Sequence, residues 1–140
     1  MIPSAPTLWL CPDQVFDGRH LRPGLAVGLA QGRVAAVEPV ASLPAGAARL
    51  PVAGVLTPGY VDLQVNGGGD AFLNNDPSVA AMQTIAAAHR RFGTVAVLPT
   101  LITDLPEKMD LAVEAAIAAK GLAGLIGLHI EGPHISLPRR

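Results

Sequence analysis

The spacing of hydrophobic residues changes along this chain, and the change predicts two kinds of structure. Up to residue 54, short apolar runs alternate with turn signals. Gln31-Gly32 lies between the apolar runs 24–30 and 33–37, which predicts a β-hairpin, and Asp17-Gly18 marks another turn. Pro39, Pro44 and Pro51 break any helix between them. Residues 1–54 are therefore predicted to form a small antiparallel β unit with a scaffolding role.

From residue 55 onward, predicted strands alternate with amphipathic helices. The strands are the segment ending at Asn66, residues 94–100 and residues 125–131. The resulting β-α-β-α-β pattern of residues 55–131 predicts right-handed crossovers and a parallel sheet. Three strands do not complete an α/β domain, and a (β/α)8 barrel takes ~250 residues. The predicted fold class is therefore α/β, with residues 55–140 forming the first three strands of such a barrel.

Both predicted helices have recognisable start signals. Asp76 can cap the first helix and Pro77 suits its first position. Asp104 and Glu107 have the spacing of a capping box at the start of the second. The predicted buried stripes are Val79, Met82, Ile85, Ala86 and His89 in the first helix and Leu105, Met109, Ala112, Val113, Ala116 and Ile117 in the second.

Composition narrows the function classes. Half of the 140 residues are hydrophobic, 15% are charged and the net charge is −1, so the chain can bury a core and has no basic face for nucleic acid. A single cysteine, Cys11, excludes an internal disulfide framework and a cysteine-built zinc site. The sequence shows no signal-peptide pattern and no apolar run of ~18 to 20 residues, so we expect a cytoplasmic protein without a membrane partner.

Polar residues of the first barrel strand are the first candidates for chemistry. Side chains in a strand alternate faces, so Asp62, Gln64 and Asn66 share one face and the valines and leucine between them share the other. Gln64 and Asn66 lie near the strand's C-terminal end, where parallel α/β proteins carry their active sites. Their amides could bind a substrate, a metal-bound water or one another. The alternative is a polar turn into the glycine run 67–69. For that run, a flexible turn or close backbone packing is a better interpretation than a phosphate cradle.

The third predicted strand carries two further candidates. His129 and Glu131 are two residues apart and point to the same side, with Glu131 at the C-terminal end. His129 is more typical of a hydrogen-bonded interior histidine than of a ligand. Glu131 ends an apolar strand, and metal coordination, a salt bridge or a solvent-facing position would each avoid burying its charge unpaired. His134 follows on a loop, where it would contact substrate or play no special role.

Three motifs, in this order, resemble a known family. They are Pro-Gly-Tyr-Val-Asp-Leu-Gln-Val-Asn-Gly at 58–67, the segment 93–103 containing Leu-Pro-Thr-Leu-Ile-Thr, and Gly-Leu-His-Ile-Glu-Gly-Pro at 127–133. Together they resemble the N-terminal part of the N-acetylglucosamine-6-phosphate deacetylases, a family of the amidohydrolase superfamily. The resemblance covers nearly the whole chain. It implies a β-sandwich, split between the two chain ends, attached to a metal-bearing (β/α)8 barrel.

The resemblance also implies site roles. Many amidohydrolases place His-x-His where this chain has Gln64 and Asn66, so it implies one divalent metal ion, with zinc expected, rather than two. Glu131 matches a metal ligand, and Gln64, Asn66 and His134 are expected to bind substrate or water. The family's catalytic aspartate would lie beyond Arg140. The implied reaction converts N-acetylglucosamine 6-phosphate to glucosamine 6-phosphate and acetate, and the implied full-length enzyme is a homo-oligomer.

On this interpretation the 140-residue chain is a truncated deacetylase, inactive alone. Two alternatives remain open. One is another amidohydrolase, related to dihydroorotase or hydantoinase, although such enzymes expect histidines at positions 64 and 66. The other is a non-catalytic βαβ interaction module.

Overall fold

The computed structural model describes residues 5–133 and 135. The chain divides into two compact units at the junction between Pro58 and Gly59. The first unit is a β-sheet and the second combines strands with helices. Among the described residues, no helix is long and apolar enough to cross a membrane.

The first unit is a five-stranded sheet. Its strands are β1 (Leu8–Phe16), β2 (Leu21–Pro23), β3 (Leu25–Ala30), β4 (Arg33–Pro39) and β5 (Arg49–Leu56), with a 3-10 turn at Val40–Ser42. The strand order is β2-β1-β3-β4, and β5 pairs with β1. The predicted hairpin is confirmed. Gln31 and Gly32 both have positive φ, of 51° and 71°, as in the turns that match the twist of paired strands.

The predicted antiparallel arrangement is only partly correct. Strands β2 and β3 pair with β1 in antiparallel fashion, and β3 and β4 do likewise, but β5 runs parallel to β1. Because a parallel neighbour needs a crossover, the chain between β4 and β5 passes back along the sheet through the 3-10 turn. Trp9, Ala26 and Leu43 form the small core of this unit.

The second unit has the predicted β-α-β-α-β order. Its elements are β6 (Tyr60–Val65), α1 (Val79–Arg90), β7 (Thr94–Ile102), α2 (Pro106–Ala118) and β8 (His129–Glu131). The three strands form a parallel sheet in the order β6-β7-β8. The third strand is shorter than predicted. Leu125 makes only an isolated bridge to Val97, and the positive φ of Gly127 interrupts the strand before His129.

The core of this unit lies between the sheet and both helices. Met82, Ile85 and Ala86 of α1 are buried as predicted. The prediction for α2 is partly wrong, because Val113 and Ile117 are exposed while α2 packs through small alanines. The buried cluster is Val65, Leu73, Met82, Ile85, Ala86, Val97, Leu101, Ala112, Ala115, Ala119 and Leu125.

Both helix starts differ from the predictions. Helix α1 begins two residues later than Pro77, because the Ser78 side chain accepts a hydrogen bond from the Ala81 N–H at 3.1 Å. Helix α2 has Leu105 as N-cap with no side-chain cap, and Pro106 occupies the first turn. The capping-box interpretation of Asp104 is therefore wrong.

Candidate active site at the C-terminal edge of the second sheet

The C-terminal ends of β6, β7 and β8 lie at one edge of the parallel sheet. Asn66 directly follows β6, Thr103 directly follows β7 and Glu131 is the last residue of β8. Because parallel strands all end at the same edge, residues far apart in sequence are brought together there. This edge therefore brings together Asn66 and Glu131, two of the polar residues that the sequence singles out.

Asn66 and Glu131 are in contact. The Nδ2 of Asn66 donates a hydrogen bond to Oε2 of Glu131 at 3.2 Å. Their strands are separated by β7, and neighbouring strands lie about 4.8 Å apart, so the two backbones would be about 10 Å apart in a flat sheet. Both side chains must therefore extend across the end of β7. Asn66 is exposed and Glu131 is half-buried, so the pair stays accessible from solvent.

The other predicted site residues are not brought into this contact. Gln64 is exposed, and its backbone N–H donates to Oδ1 of Asp62 at 3.1 Å. His134 lies outside the described residues.

Strand β6 is less buried than its pattern predicts. Val65 is buried, whereas Val61 and Leu63 are 57% and 61% exposed. The register between β6 and β7 shifts between Asp62 and Val65, so simple alternation does not hold along this strand.

His129 is a hydrogen-bonded and partly buried histidine. Its Nδ1 lies 3.3 Å from Oγ1 of Thr100, a residue with no exposed surface. Thr100 is also the register partner of His129 across the β7–β8 ladder. The threonine therefore fixes the imidazole two residues before Glu131, on the same side of the strand.

Two residues at this edge were not singled out by the sequence. Thr103 donates to the Glu131 carbonyl oxygen from both its backbone N–H, at 2.9 Å, and its Oγ1, at 2.8 Å. Asn74 brackets Ile102, because its Oδ1 accepts from the Ile102 N–H at 3.0 Å and its Nδ2 donates to the Ile102 carbonyl at 2.7 Å. The partners of both residues are 28 positions away, and no local pattern signals them.

The glycine run after Asn66 serves close packing, which is one of the two interpretations that the sequence left open. The His89 Nε2 donates to the Gly67 carbonyl at 2.9 Å, which ties α1 to the segment after β6. A Cβ on Gly68 would lie 2.9 Å from that same nitrogen, and a Cβ on Gly67 would lie 2.7 Å from the carbonyl oxygen of Ala71. Only glycine fits these two positions without displacement.

The carboxylate of Asp104 is strongly stabilised in its charged form. The hydrogen bond from Asn74 Nδ2, at 3.0 Å, is the largest influence on its pKa, followed by the Leu105 N–H and the Lys108 ammonium. Together they lower the pKa of Asp104 to about 2. Asp104 is therefore ionised at neutral pH and pairs with Lys108 at 3.2 Å. Asp104 thus binds Asn74 and Lys108, while Leu105 is the residue at the N-cap position of α2.

The described residues alone do not fit a bound metal ion. Within residues 5–133 and 135, no three histidine, cysteine, aspartate or glutamate side chains converge on one point. Glu131 offers one carboxylate, and its Oε2 accepts a hydrogen bond from the amide of Asn66, which is a donor rather than a second ligand. A single carboxylate does not satisfy the four or more ligands that a structural or catalytic divalent ion takes.

The chain is similar in sequence to known deacetylases of N-acetylhexosamine 6-phosphates. The chain is 45% identical over 89 residues to an N-acetylgalactosamine-6-phosphate deacetylase of Shewanella sp. (strain ANA-3), covering 62% of this chain and 23% of that protein. It is 34% identical over 110 residues to an N-acetylglucosamine-6-phosphate deacetylase of Haemophilus influenzae, covering 76% of this chain and 29% of that protein. No protein-family model matches the chain.

Solved structures agree with these relatives. The N-acetylglucosamine-6-phosphate deacetylase of Pasteurella multocida superposes with a TM-score of 0.82 at 28% identity, over 94% of this chain and 35% of that structure. The fold is thus that of part of an amidohydrolase-type enzyme. More particularly, the resemblance to the N-acetylglucosamine-6-phosphate deacetylases is confirmed. The chain spans less than a third of the length of the two curated relatives, 23% and 29%.

Proposed function

We propose that this chain is the N-terminal portion of a metal-dependent deacetylase that hydrolyses N-acetylglucosamine 6-phosphate to glucosamine 6-phosphate and acetate. The observation that carries the proposal is the contact between Asn66 and Glu131 at the C-terminal sheet edge. It joins two of the three motifs that resemble the deacetylases, although 65 residues separate them. A buried scaffold alone would not require two polar side chains to meet at an accessible edge.

The second unit supplies the first three strands of a (β/α)8 barrel in this proposal. Its sheet is parallel, and among the described residues β6 and β8 each pair only with β7. An apolar groove of about 550 Å³ lies between α2 and the β8 segment, with Ile117 and Ile130 in its lining. Unpaired strand edges and apolar grooves are what further βα units of a barrel would cover.

The first unit contributes part of a β-sandwich. Its five-stranded sheet carries an apolar hollow of about 690 Å³, lined in part by Leu10, Val27 and Val37. Sandwiches pack two sheets face to face across such apolar surfaces. A second sheet from a later part of the full-length protein would fill the hollow. In this proposal, residues 1–54 form the partial sandwich domain and residues 55–140 the partial barrel.

The site roles follow the same logic. Glu131 would supply one carboxylate ligand to a single divalent ion, with zinc expected, and later strands would supply the others. Asn66 holds the carboxylate oxygen in place. Gln64 and His134 remain proposed contacts for substrate or water. The proposed full-length enzyme is cytoplasmic and homo-oligomeric, and binds an amino-sugar phosphate.

A second substrate has a specific observation in its favour. The Shewanella relative, named for N-acetylgalactosamine 6-phosphate, is 45% identical to this chain, whereas the Haemophilus relative is 34% identical. The two sugars differ only in the configuration of one hydroxyl group. The choice between them therefore depends on side chains that contact that hydroxyl, and both sugars should be tested.

A chimeric enzyme tests the proposal. Residues 1–140 would replace the matching third of the Pasteurella multocida deacetylase, and acetate release would be measured with each N-acetylhexosamine 6-phosphate. We expect turnover by the chimera, none by the 140-residue chain alone, and loss of turnover on Glu131→Gln. Glu114→Gln, an exposed position on α2, is the matched control and should stay active. A folded chimera that hydrolyses neither sugar, or that keeps full activity with Glu131→Gln, would contradict the proposal.

A further inference from the structure

We infer that Thr103 is a positioning residue that orients the Glu131 carboxylate by holding its backbone. The role of this orientation in catalysis rests on the proposed function. The contact between Thr103 and Glu131 is independent of it. Thr103 lies immediately after β7 and is only 6% exposed. Its hydroxyl is the one side-chain hydrogen-bond donor to the Glu131 carbonyl among the described residues.

Thr103 binds the end of β8 at more than one atom. Its N–H and Oγ1 both donate to the Glu131 carbonyl, and Oγ1 also lies in hydrogen-bond contact with the Gly132 carbonyl. Strand β8 has only three residues, so its ladder to β7 supplies few hydrogen bonds of its own. The threonine therefore carries a large share of the interactions that fix the strand's last residue.

The threonine is itself held in place by Asn74. Both polar atoms of the Asn74 side chain bind Ile102, the residue before Thr103, and Nδ2 also donates to Asp104, the residue after it. Ile102 is in turn the register partner of Glu131. The segment between β6 and α1 thus binds the residues on both sides of Thr103, and Thr103 in turn binds Glu131.

The carboxylate is fixed from its other end by Asn66. When the backbone of Glu131 is held by Thr103 and Oε2 by Asn66, the side chain between them has few remaining conformations. Loss of the Thr103 hydroxyl should therefore increase local motion in two segments. Strand β8 should loosen directly, and the segment after β6 should loosen because Asn66 loses a fixed partner.

Hydrogen–deuterium exchange of the 140-residue chain tests this inference. Thr103→Val keeps the shape and removes the hydroxyl, Thr103→Ser restores the hydroxyl, and Thr84→Val removes an equivalent hydroxyl-to-carbonyl bond on the exposed side of α1. We expect Thr103→Val to speed exchange about fivefold or more in peptides covering 129–132 and 66–71, the size of one lost hydrogen bond. Thr103→Ser should restore both segments, and Thr84→Val should change neither.

Three outcomes would overturn the inference. They are unchanged exchange in 66–71, failure of Thr103→Ser to restore protection, or equal loss of protection in α1, which would show general support of the fold. Thr103→Ala provides a second variant should the valine not fold, with the same expectations. Since exchange is measured without metal or sugar, an inactive chimera would refute the proposed function and leave this result standing.

Discussion

Removing the Asn74 side chain should destabilise the second unit far more than its small size suggests. Asn74→Ala deletes three hydrogen bonds, at 2.7, 3.0 and 3.0 Å, to Ile102 and Asp104. It leaves the N–H and carbonyl of Ile102, a partly buried residue, without these partners. At about 1 kcal/mol for each net hydrogen bond, the expected loss is about 3 kcal/mol in the free energy of unfolding.

Urea unfolding followed by circular dichroism at 222 nm is the appropriate assay. Both α-helices of the described chain belong to the second unit, so the helical signal reports on that unit. Asn75→Ala is the matched control, because Asn75 is the exposed neighbour. With a slope of about 1 kcal/mol per molar urea, Asn74→Ala should lower the midpoint by about 3 M. If the two variants shift the midpoint equally, the bracketing role of Asn74 is refuted.

Three further predictions concern charge, surface and backbone. The pKa of Asp104 in the folded chain, about 2, lies below its ordinary value of 3.8. Its ionised carboxylate therefore stabilises the fold above pH 4, and this stabilisation is lost as the pH falls toward 2. Asp104→Asn should flatten this part of a curve of unfolding free energy against pH. Ile117 is 69% exposed in the apolar groove, so Ile117→Lys should increase the monomer fraction in size-exclusion chromatography more than Ala118→Lys does; equal profiles would contradict this. Gly67→Ala should lower the thermal midpoint more than Gly121→Ala, because both have positive φ but only Gly67 also faces a backbone oxygen at 2.7 Å; equal shifts would show that φ alone matters.

The sequence predicted the topology of the second unit because its signals are local. Strand and helix periodicity, together with glycine and proline positions, gave β-α-β-α-β, and parallel strands then required Asn66 and Glu131 to share an edge. Their contact at 3.2 Å agrees with that reasoning. The alternation argument likewise placed His129 and Glu131 on one side of β8.

The features that the sequence did not predict depend on which residues meet in the folded chain. Asp104 has the spacing of a helix cap, but Asn74 and Lys108 bind its carboxylate and the cap is Leu105. Threonine is a common residue type in turns, so the sequence does not mark Thr103. Its role is visible only in the folded structure, where it contacts Glu131. On α2, hydrophobic spacing predicted Val113 and Ile117 as buried, whereas both are exposed. The buried residues of the helix are alanines, with Met109 packed against them at the edge of the core.

Anomalous diffraction from crystals of the zinc-loaded chimera tests the central claim most directly. The account predicts a zinc peak about 2.0 to 2.2 Å from a carboxylate oxygen of Glu131, with Asn66 alongside, and no peak there in Glu131→Gln crystals. A zinc ion bound elsewhere, with the Glu131 carboxylate turned away from it, would contradict the account.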